Sequence, residues 1–104
     1  MNENILKEAT ERLVSRFHPQ RIILFGSQAR RQADERSDVD LLVICPVKGN
    51  RRELMVAMDR ALRGLPIARD IVILTPEEYE RDKGIPGTIA RPASREGRVL
   101  YEAA

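Results

Sequence analysis

The 104-residue sequence predicts an α/β (α+β) domain: a short mixed β-sheet flanked by helices. Three observations predict it. Three short β-rich apolar runs, RIILF (21–25), DLLVIC (40–45) and DIVIL (70–74), are bounded by glycine and proline signals. Apolar residues at helical spacing occupy stretches before and between these runs. A chain of this length, 42% hydrophobic and 33% charged, supports one compact core, so a single domain over 1–104 is expected.

The elements follow in order. Ile5, Leu6, Ala9, Leu13 and Phe17 form an amphipathic stripe that predicts a helix over 2–17. Pro19 ends it, because proline disfavours helical geometry at His18. RIILF is then a buried strand. A short helix is expected after Ser27, followed by the polar loop QADERS and a second buried strand stopped by Pro46. Leu54, Met55, Met58, Ala61, Leu62 and Leu65 define a helix, closed by the Gly64 and Pro66 signals. DIVIL is the third strand. Thr75, Pro76 and Glu78 have the cap, first-turn proline and third-position glutamate of a helix start. GTIARPASREG is helical in composition, yet Pro92 is expected to break or kink an interior turn. Val99, Leu100 and Tyr101 close the chain as a short strand or packed segment.

Composition excludes several classes of function. A net charge of +2 is modest for a dedicated nucleic-acid binder. Two Phe, two Tyr and no Trp are too few for a base-stacking platform. The single cysteine, Cys45, excludes an internal disulfide and reads as a small buried hydrophobe, which fits a reducing cytoplasm. The polar start MNENILKEAT and the lack of any long apolar run predict neither a signal peptide nor a membrane span.

The chemistry concentrates between Gly26 and Asp70. Asp38 and Asp40 are two apart, so on a strand they share a face. Neighbouring carboxylates repel, and a divalent cation relieves that conflict; oxygen donors suit Mg²⁺ or Mn²⁺. Asp70 precedes its apolar run as Asp40 precedes its own. The helix between the second and third strands is long enough for a parallel crossover. Three acids would then gather at one sheet edge and could hold two metal ions about 4 Å apart, as in-line phosphoryl or nucleotidyl displacement requires. Gly26 permits a tight turn, and Ser27 offers a hydroxyl and a backbone N–H for phosphate at a helix start. A first strand antiparallel to the second brings this cradle to the same edge. Arg30, Arg31 and Arg36 surround the site, and Arg30 is the best placed to pair with a triphosphate. Each feature alone is ordinary: a turn, a loop–strand junction, a strand end. A solvated face explains Lys48, Arg51 and Arg52, and a helix end explains His18.

Gly26-Ser27, ten intervening residues and Asp38-x-Asp40 resemble the GS-x10-DxD signature of the DNA polymerase β nucleotidyltransferase superfamily. FGSQAR through SDVDLLVI is similar to its minimal nucleotidyltransferases, and the likeness runs from RIILFGS to EGRVLY. The resemblance implies a polymerase β-like fold, Mg²⁺ on Asp38, Asp40 and Asp70, and nucleotide phosphates on Gly26 and Ser27. It implies AMP transfer from ATP to a hydroxyl group, and pairing with an all-helical HEPN-type toxin. The chain would serve as the antitoxin of that pair and modify a tyrosine of its partner. Two positions depart from the pattern: Arg31, where many relatives have glycine, and Pro92, where relatives favour a helix former. Two alternatives remain open on the sequence. One is a non-catalytic nucleotide-binding antitoxin that masks its partner; the other is a small-molecule, aminoglycoside-like nucleotidyltransferase.

Overall fold

The computed structural model describes residues 3–26 and 39–104. Its elements run α1 (Glu3–Phe17), β1 (Arg21–Phe25), β2 (Val39–Ile44), α2 (Arg51–Ala61), β3 (Arg69–Leu74), α3 (Pro76–Asp82), α4 (Ala90–Glu96) and β4 (Arg98–Glu102). The strands form a mixed sheet in the order β3-β2-β1-β4, with β1 antiparallel to β2 and β4, and β2 parallel to β3. The expected α+β architecture with a short mixed sheet is what the chain adopts. The helix and loop expected between Ser27 and Asp38 lie outside the described residues.

Side-chain alternation explains the layers. Leu24, Leu41, Val43, Ile71 and Ile73 face Leu6, Ala9, Leu13, Met58 and Leu62 of α1 and α2. Ile23, Leu42 and Ile44 face Tyr79, Ala90 and Ala93 of α3 and α4. Covered on both sides, β2 is a continuous apolar run in which every residue except Asp40 is buried. Cys45, just beyond β2, is buried as expected, and its N–H donates to the Leu74 carbonyl at 3.1 Å.

Helix ends carry the connections. His18 takes a left-handed conformation (φ 49°) after α1, and its N–H donates to the Val14 carbonyl. Arg12 of α1 donates to the Ala61 and Arg63 carbonyls at the end of α2, where free carbonyls attract a cation. The Asn50 side chain accepts the Glu53 N–H and starts α2. Thr75 and Glu78 form a reciprocal capping box, with bonds of 3.1 and 2.8 Å. Arg51 joins it from α2, donating to Glu78 at 3.0 Å and to the Ile73 carbonyl at 3.2 Å. This member of the basic cluster ties α2 to β3 and α3.

The tail differs from expectation at Pro92. That residue is the third of α4, where a backbone N–H has no intrahelical partner, so proline neither breaks nor kinks the helix. The neighbouring Arg91 N–H donates to the Thr88 hydroxyl. After α4, β4 pairs with β1; the register shift between Ile22 and Ile23 leaves Leu100 as the extra residue, and both Leu100 and Tyr101 pack against the α1–α2 core. Gly97 lies so close to Ala93 and Ile23 that a Cβ there would collide with both.

Two outcomes follow from these contacts. Gly97→Ala should lower stability by about 1–3 kcal/mol in a urea titration, whereas Gly84→Ala, with open space around it, should cost far less. Hydrogen bonds from Arg51 and the Thr75 N–H hold the Glu78 carboxyl down from 4.5 to about 2. A depressed carboxyl contributes stability above its unfolded value, and that contribution is lost as pH falls through the folded one. Glu78→Gln should therefore melt below wild type at pH 6, with the gap closing between about pH 4.5 and pH 2.

Candidate functional site

Strand register assembles the site. Asp40 is the second residue of β2, Asp70 is the second residue of β3, and the two are direct partners in the parallel ladder. Each thus sits one residue inside its strand. Neighbouring strands lie about 4.8 Å apart, and directly opposed residues point to the same face. That face is the one carrying Leu42, Ile44, Val72 and Leu74, under α3 and α4. Asp40 is half-buried; Asp70, on a strand with no further neighbour among the described residues, is exposed.

The antiparallel pairing of β1 with β2 sets Phe25 directly opposite Asp40. Gly26, the next residue, turns the chain with φ 80° and lies against the Asp40 carboxylate. The end of β1 and the starts of β2 and β3 therefore share one edge. Phe25 was not a candidate on sequence grounds. Its signal was available in strand alternation: an antiparallel first strand puts its last residue beside the second strand's first acid. Phe25 is partly buried against the Tyr79 cluster and gives the acid pair an apolar neighbour.

Of the six candidate site residues, Gly26, Asp40 and Asp70 are brought together. Ser27, Arg30 and Asp38 lie outside the described residues, as do Arg31 and Arg36. Among the described residues no group of three or more His, Cys, Asp or Glu side chains could hold a metal. The donor chemistry of the pair nonetheless fits a hard divalent cation. Two carboxylates at paired positions of adjacent strands offer only oxygens, the donors that Mg²⁺ and Mn²⁺ prefer. The groove between α1 and β4, lined by Lys7, Thr10 and Arg98 among others, contains none of these acids. Asp40 lies on an interior strand and Asp70 on β3, the last strand of the sheet among the described residues. No helix among the described residues is long and apolar enough to cross a membrane.

Two further side chains near the sheet have structural settings. Tyr79 lies on the buried face of α3, with the Arg21 guanidinium 5.6 Å from its ring centre. Arg69, next to Asp70, is held by Asp59 at 3.0 Å and by carbonyls of residues 59 and 67, directed toward α2.

A family model described as a nucleotidyltransferase domain matches residues 5–100. No curated protein matches the chain. Among solved structures, a Sulfolobus solfataricus protein assigned as a nucleotidyltransferase, determined at 1.40 Å, is similar. It is 24% identical with a TM-score of 0.66, over 95% of this chain and 78% of its own. A toxin–antitoxin structure with AMP-PNP is 20% identical with a TM-score of 0.57, over 99% of this chain and 75% of its own. At these identities the two structures share the fold.

The acid pair sets an expectation for metal and stability. Because Asp70 is exposed, Asp70→Asn should leave the metal-free melting temperature nearly unchanged. Millimolar Mn²⁺ should raise the wild-type melting temperature, by about 2.7 kcal/mol of stabilisation at a hundredfold excess over the dissociation constant. In Asp70→Asn most of that gain should vanish, as differential scanning fluorimetry would record.

Proposed function

Because the chain belongs to the nucleotidyltransferase domain family, we propose that it transfers AMP from ATP to a hydroxyl group of a protein partner. The observation that carries this reading is the register of Asp40 with Asp70 beside the Gly26 turn. Mg²⁺ bound by Asp38, Asp40 and Asp70 would neutralise the triphosphate and favour loss of pyrophosphate. Backbone N–H groups and the hydroxyl at Ser27, with the Arg30 guanidinium, hold the distal phosphates. The acceptor oxygen attacks the α-phosphorus, and the bond from that phosphorus to the bridging oxygen of the departing pyrophosphate breaks. Asp70 takes the acceptor's proton as the new P–O bond forms.

The position of Asp70 favours a macromolecular acceptor. It is exposed on β3, at an edge of the sheet among the described residues, so a side chain carried by another protein can reach it from outside. A tyrosine of an all-helical HEPN-type toxin is the acceptor we assign, which makes this chain the antitoxin of the pair. The toxin–antitoxin neighbour with AMP-PNP supports a toxin–antitoxin setting and an adenine nucleotide. The reaction belongs to the cytoplasm, where ATP and Mg²⁺ are supplied.

Co-expression with the partner, followed by intact-mass measurement with ATP and Mg²⁺, tests the reading. One nucleotide-sized mass gain on the partner is expected. An Asp38→Ala, Asp40→Ala double variant should keep its far-UV circular dichroism and lose transfer by at least about 10²-fold. Full transfer by that variant would overturn the assignment of the acids. Tight complex formation with no mass change in the wild type would overturn catalysis in favour of masking.

A further inference from the structure

Two glycines have nearly the same φ. Gly26 has φ +80° and Gly49 has φ +82°, a conformation that glycine adopts freely and other residues rarely do. Their surroundings differ completely. A Cβ on Gly49 would meet nothing within 4 Å, whereas one on Gly26 would run into Oδ2 of Asp40, with the Asp40 Cγ and Cβ at 3.3 and 3.6 Å. The carboxylate occupies the space in which any other residue would carry its first side-chain carbon.

From this juxtaposition we infer that Gly26 is a positioning residue for Asp40, setting the direction of its carboxylate by the absence of a Cβ. The inference rests on the reading that Asp40 holds a divalent cation. Because β1 and β2 are antiparallel and Phe25 faces Asp40, the residue after Phe25 lies diagonally beside the acid. Gly26 lets that acid lie against the backbone of the turn, toward the edge it shares with Asp70. A Cβ at 26 would meet the far end of a side chain rather than backbone. The carboxylate is pushed aside and leaves the direction its register with Asp70 requires. Mg²⁺ and Mn²⁺ demand near-octahedral oxygen geometry, so a displaced ligand lowers affinity even when every donor is present. A glycine needed only for its turn would behave otherwise: its replacement would weaken the fold and leave metal binding intact.

The matched glycines separate these two roles. Mn²⁺ alone is titrated into the purified full chain, and the unbound ion is read from its electron paramagnetic resonance signal. Wild type, Gly26→Ala, Gly49→Ala and Asp40→Asn are compared, each with its melting temperature. Gly49→Ala should bind as wild type does, while folded Gly26→Ala should bind at least tenfold more weakly. Gly26→Asn serves if the alanine variant folds poorly, since asparagine accepts the left-handed backbone more readily and still carries a Cβ. It should show the same tenfold loss. Wild-type affinity in either folded Gly26 variant would overturn the inference while leaving the metal site standing. No binding by wild type, or undiminished binding by Asp40→Asn, would overturn the metal reading itself and this inference with it.

Discussion

The register of β2 against its two neighbours is the constraint on which the rest depends. Strand side chains alternate with a period of two, so a one-residue slip exchanges the faces of a whole strand. A slip of β3 would carry Ile71 and Ile73 out of the α1–α2 core and turn Asp70 to the opposite side. Burying each of those isoleucines contributes about 1.5–3 kcal/mol, far more than any preference of an exposed aspartate. The core therefore aligns the acids.

Polar contacts reinforce the same alignment from the helix side. Arg69 reaches Asp59, and Arg51 reaches both the Ile73 carbonyl and Glu78, so α2 grips β3 near each end. Arg51 belongs to a basic stretch whose charge alone suggests a solvated face, and its partners assign it to the fold. On the opposite side of the sheet, α4 approaches β1 through Ala90, Ala93 and Gly97, which are small enough to bring helix and strand into contact. β4 then pairs along the outer edge of β1, and β3, with Asp70, is the other edge of the sheet among the described residues.

Much of the architecture was legible because its signals are local. RIILF, the apolar run after Asp40 and DIVIL are too apolar and too short to be anything but buried strands, and their boundaries agree with observation to within a residue. The α3 cap was legible because Thr75, Pro76 and Glu78 act within one turn of chain. Pro92 was misread because its effect depends on where a helix begins. Thr88 and the packing of Ala90 start α4 only two residues earlier, which makes the proline harmless. The last strand was ambiguous for a similar reason: Val99 to Tyr101 become a strand only by pairing with β1, about eighty residues away in the chain.

By itself, the sequence determined the residue types and their spacing: a Gly-Ser turn, a pair of acids two apart and a third acid before the next apolar run. Those are properties of neighbouring residues, governed by side-chain periodicity and turn chemistry. Only the tertiary structure decided that Asp40 and Asp70 are exact register partners, and that Gly26 lies against one of them. Pairing between segments separated by tens of residues is set by how apolar surfaces bury one another across the whole domain. No local pattern encodes that distance, and it is the distance on which the chemistry rests.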